Sequence, residues 1–192
     1  MNRRIILIIV ITSLLGGLYY YGNKNEIFPW NRYDRSLDSL FFGLSFGMES
    51  KDFFSKCLEL NKSHQTIQGS HNTSVLYIDR ENFKLPVDMN FYPNYIDDKI
   101  FAMPLYFNYK AWAPWNKDLQ SDKLIIEVKN LMEKWYGPGF KEKKLNSGRI
   151  GYYKIDHPRI ITIKIRDEQF VDVLLENLKY SGKKYSENNE NK

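Results

Sequence analysis

The sequence predicts an α+β fold: an N-terminal transmembrane helix followed by a duplicated αβββ–αβββ module with antiparallel sheet. Two observations predict it. Residues 5–21 carry no charge and no proline. Beyond residue 40, a stretch of helical period leads into three strand-like runs, and that order then repeats.

The opening stretch is "NRRIILIIVITSLLGGLYYYGNK". As a helix its uncharged part reaches roughly 25 Å, enough for a thin bilayer core. Ile5, Ile8, Ile11, Leu15 and Tyr19 mark the rod. Residues 5–11 are apolar on every side, whereas a surface helix alternates its faces. Tyr19, Tyr20 and Tyr21 close the run, where phenol rings suit the headgroup layer. Arg3 and Arg4 precede it, while Lys24 and Glu26 nearly cancel. The positive-inside rule then gives a single-pass signal-anchor of the inner membrane, with the N-terminus cytoplasmic and the C-terminal domain facing the periplasm. A cleaved signal peptide is the rival, but bulky tyrosines stand where a cleavage site needs small residues. With no nearby cysteine, lipoprotein processing is excluded.

The remaining chain divides into a polar linker at 23–40, an α+β domain at 41–180 and a tail at 181–192 whose polar composition predicts disorder. Repeat 1 covers about 47–110 and repeat 2 about 119–180. In the first, apolar residues at 53, 54, 57 and 58 predict a helix opened by Glu49 or Ser50. "TSVLYIDR", "KLPVDMNFYPN" and "KIFAMPLYFNY" follow as strands, the last with the cleanest alternation in the chain. Pro86 and Pro104 cannot donate to a ladder, so they predict sheet edges or bulges. In the second, Ser121 caps a helix with apolar positions Leu124, Ile125, Val128, Leu131, Met132 and Trp135, stopped by "GPG". "RIGYYKIDH", "RIITIKIRD" and "QFVDVLLENLKY" then read as its three strands.

"GLSFGMESKDFFSKCLELN" resembles the helix start of small exported α+β modules, the SmpA/OmlA-type lipoprotein modules and the β-lactamase-inhibitor-protein fold among them. It departs from them in having Glu49 where a serine is usual, and in lacking a lipobox cysteine. The set "MNFYP", "DKIFAMP", "YKAWAPWN" and "LMEKWYGPGF" resembles uncharacterised single-span envelope proteins of Bacteroidota-type bacteria. That resemblance covers most of the chain beyond the linker and implies an envelope address, with no activity attached.

Composition narrows the chemistry. A net charge of +5 is modest and the basic residues run along the whole chain, which predicts no nucleic-acid partner. The single cysteine, Cys57, stands at helical spacing from Phe53, Phe54 and Leu58 and reads as a small apolar residue. His64, His71 and His157 show no zinc-ligand spacing, so no metal and no cofactor are expected. The acid pairs at 97–98 and 167–168 fall between strands and read as turns. No catalytic motif stands out. The binding candidates are Trp112 and Trp115, which flank Pro114 in the connector between repeats. Core packing of both indoles beneath the connector is the favoured reading, and a surface for an envelope protein or a glycan is the alternative. The expectation is a membrane-anchored, envelope-facing protein-binding or scaffold module that also touches the lipid bilayer. An envelope hydrolase acting on cell-wall material is the alternative.

Overall fold

The apolar positions 53, 57 and 60 fall on one face of α1 (Ser50–Lys62). A computed structural model describes residues 34–69, 74–145 and 148–181. After α1 come β1 (Ile67–Gln68), β2 (Val75–Asp79), β3 (Val87–Phe91), β4 (Asn94–Ile96) and β5 (Lys99–Tyr109). The second part runs α2 (Ser121–Tyr136), β6 (Lys141–Lys144), β7 (Ile150–Asp156), β8 (Arg159–Ile165), β9 (Val171–Asn177) and a single helical turn, α3 (Leu178–Ser181).

All nine strands join one antiparallel sheet in the order β1-β2-β3-β5-β9-β8-β7-β6, with β4 folded back on the start of β5. The central seam is β5 against β9, where Leu105 faces Val173 and Phe107 faces Val171. Alternate residues of β3, of β5 from Met103 to Tyr109, of β8 from Arg159 to Ile163 and of β9 are buried on one face: Met89, Phe107, Ile163 and Val173 are representative. α2 covers that face through Leu124, Ile125, Val128, Leu131 and Met132. Its start is held by Ser121, whose N–H donates to Glu168 O at 2.9 Å and whose hydroxyl donates to Asp167 O at 2.6 Å. The N-cap is Gln120 rather than Ser121, and Gly137 at φ 82 ends the helix with its N–H on Glu133 O. A side chain is disfavoured at that φ, which is why the helix stops at a glycine.

This architecture corrects the predicted fold class. The α+β reading with an N-terminal transmembrane helix and an αβββ–αβββ duplication gives way to a single, mostly antiparallel nine-stranded sheet with few helices. Among the described residues no helix is long and apolar enough to cross a membrane. Ile5, Ile8, Ile11, Leu15 and Tyr19, on which the membrane reading rests, lie outside the described residues, as does the tail beyond 181. Three strands per half is also too few. β1 has two residues, β4 has three, and β6 is "KEKK" with all four residues exposed. None offers an apolar period to read, because an edge strand buries no full face. The run "QFVDVLLENLKY" turns helical at Leu178 instead of continuing as strand.

Pro104 lies in the central strand, not at an edge. Lys110 N–H donates to Pro86 O, so the even-numbered residues of β5 aim their backbone groups at β3. The pairing with β3 ends at Phe91 opposite Leu105. Residue 104 therefore has no strand partner on that side, and proline loses nothing there.

Candidate functional site

The apolar stripe of α1 is wider than one buried face. Phe53 and Leu60 are buried, and Cys57 is half-buried against the same core. Phe54 and Leu58, one position further round, stay uncovered at 49% and 62% exposure. Phe53 fixes the helix by meeting Tyr92 edge-on, ring centroids 5.8 Å apart. Glu49 starts the helix without a side-chain cap bond; its backbone bridges Lys99 and its carboxylate pairs with Lys51 at 2.9 Å.

Between this helix and the β1–β2 margin of the sheet runs a groove of about 410 Å³. Phe54, Leu58, Ile67, Val75 and Tyr92 line it, with Cys57 in its wall and Asn61, Thr66, Gln68 and Ser74 as polar points. Of the ten exposed large hydrophobics among the described residues, four (Phe54, Leu58, Ile67 and Tyr92) meet here. Among the described residues no Lys, Arg, Asp or Glu lines it. Such a volume falls within the ~300–1,000 Å³ of ordinary ligand sites.

Burial pushes the Cys57 thiol up to about 11. At neutral pH it is almost wholly protonated, and the thiolate is the nucleophile. Alkylation by iodoacetamide at pH 7.5 is expected to run about a hundredfold slower than for a free cysteine, whose pKa is about 8.5. Mass spectrometry of timed samples reads that rate; modification as fast as glutathione would contradict the buried placement.

The sequence-predicted binding pair is divided by the structure. Trp112 is half-buried, packs against the core, and leaves its Nε1 buried without a hydrogen-bond partner among the described residues. Trp115 is 82% exposed. Neither lines the groove. His64 and His157 are exposed and lie apart from it, and His71 lies outside the described residues. Among the described residues no group of three or more His, Cys, Asp or Glu is placed to hold a metal ion. Asp97 and Asp98 form the β4–β5 turn at φ 48 and 61, a conformation that hairpin turns demand. The Asp167 carboxylate accepts from Gln169 N and Phe170 N, both at 2.9 Å, and so folds the β8–β9 turn.

The groove residues Phe54, Leu58, Ile67 and Tyr92 were not singled out from the sequence. A signal existed in the four apolar positions 53, 54, 57 and 58, which exceed what one sheet face can cover.

No protein-family model, curated protein or solved structure matches this chain. The likeness to exported α+β modules therefore rests on the quoted motifs alone.

Proposed function

We infer that the chain is a protein-binding module whose α1–β1 groove receives the apolar side chains of a partner segment. One observation carries this reading: Phe54, Leu58, Ile67 and Tyr92 expose large apolar surface into the same groove. Scattered apolar residues are ordinary on protein surfaces, whereas a contiguous set costs solubility and marks a contact site. The described lining carries no charged side chain, which favours aliphatic or aromatic groups over acidic or basic ones.

Leu58 is the most exposed of the four, so its replacement separates binding from folding. Leu58→Asp is expected to change unfolding free energy by less than about 0.5 kcal/mol. It is expected to weaken partner affinity by tenfold or more, a loss of about 1.4 kcal/mol or above. Titration calorimetry with the partner recovered by wild-type protein reads the affinity. Unchanged binding by a folded Leu58→Asp variant rejects the groove.

A further inference from the structure

The other end of the sheet differs in chemistry. Between residues 141 and 166 stand eight lysines and arginines against two acids, Glu142 and Asp156. The rest of the described residues carry 13 basic and 18 acidic groups, so positive charge gathers on β6, β7 and β8. Part of it is spent internally: Lys154 and Arg159 pair with Asp156, and Arg166 pairs with Asp172. Lys141, Lys144 and Lys164 are exposed and form no ion pair among the described residues. Lys141 and Lys143 share a sheet face with Lys164, two strands further in.

Among the described residues β6 is also the last strand of the sheet, bonded only to β7, with all four residues exposed. Its backbone polarity follows from the register. Leu145 N–H donates to Arg149 O at 2.9 Å, which makes Lys143–Gly151 and Lys141–Tyr153 the hydrogen-bonded pairs. Glu142 and Lys144 therefore turn their N–H and C=O groups outward, along an edge that no other described strand covers.

We propose that β6 accepts an extended acidic polypeptide segment as a further antiparallel strand, with carboxylates opposite Lys141 and Lys144. Edge lysines repel a second copy of the same edge, and the same charges admit a strand of opposite sign. Main-chain bonds to Glu142 and Lys144 supply register, and cross-strand ion pairs supply selectivity. This site is independent of the α1–β1 groove at the opposite end of the sheet, and it stands if that groove fails.

The test uses the full chain and a fluorescent peptide of alternating Glu and Thr, read by anisotropy. Saturable binding is expected, weakened about tenfold by raising salt to about 0.3 M. Lys141→Glu with Lys144→Glu should weaken it by a similar factor while leaving circular dichroism unchanged. A peptide of identical charge, N-methylated at alternate residues, should lose at least tenfold because it cannot pair along an edge. Hydrogen exchange should slow at the Glu142 and Lys144 amides in the complex. No binding overturns the proposal. So does equal binding of the methylated peptide, or of a single-stranded oligonucleotide or anionic phosphatidylglycerol vesicles, since each would mean a general polyanion patch without strand pairing.

Discussion

Phe53→Ala is expected to lower the unfolding free energy by about 3–5 kcal/mol, the cost of emptying a fully packed aromatic site. Phe53 is fully buried and, with Leu60, is one of the two buried residues of α1. Its ring reaches Tyr92 just beyond β3, so it joins the helix to the sheet. Removing it leaves a cavity where α1 is held, and the groove loses one wall. The denaturant midpoint should fall without a change in slope, and binding through Leu58 should fall with it. Phe54→Ala, at the neighbouring exposed position, should shift stability by no more than about 1 kcal/mol. Equal losses for the two variants would mean that the stripe is divided differently.

Asp156→Asn is expected to cost about 3 kcal/mol, the low end for removing one partner of a buried ion pair. Asp156 joins Arg159 at 2.9 Å and Lys154 at 3.0 Å, and both cations are more deeply buried than the acid. Arg159 also lies over the Tyr136 ring, 4.9 Å from its centroid, with Nε unpartnered among the described residues. Asparagine keeps the shape but not the charge, so Arg159 and Lys154 lose their shared counter-ion while Lys154 Nζ keeps its bond to Tyr136 O. Burial on its own raises the Asp156 pKa, but hydrogen bonds and attraction from Arg159 and Lys154 outweigh it and leave the value lowered. A lowered carboxylate contributes stability that is fully present above its unfolded pKa of about 3.9. That contribution is lost as pH falls through the folded value. Wild-type stability should therefore drop below about pH 4, and Asp156→Asn should flatten that part of the acid limb. An acid limb unchanged by the substitution would contradict this assignment.

What the sequence disclosed depended on whether a segment buries one complete face. β5 has eleven residues and carries a large apolar residue at every second position from Phe101 to Tyr109, so its period was visible. β6 has only charged residues, and β1 has two residues, so neither leaves a mark that periodicity can find. The position of Pro104 in the central strand depended on where β3 ends, which is a tertiary fact. The apolar stripe of α1 was legible, but which half the sheet would cover was not. The same limit held for the tryptophans, since spacing cannot tell that Trp112 turns inward while Trp115 stays exposed. The lysines of β6 and β7–β8 were readable as letters. Only strand order gathers them on one edge.

The groove carries the account, and site-specific photo-cross-linking tests it most directly. A benzophenone side chain placed at Leu58 in the full chain should give one reproducible protein adduct in cells. The same probe at Ile126, which is 52% exposed on α2, should not give that adduct. Once that protein is purified, Leu58→Asp should weaken its binding at least tenfold. Identical adducts from both positions, or none from position 58, would contradict a partner seated between α1 and β1.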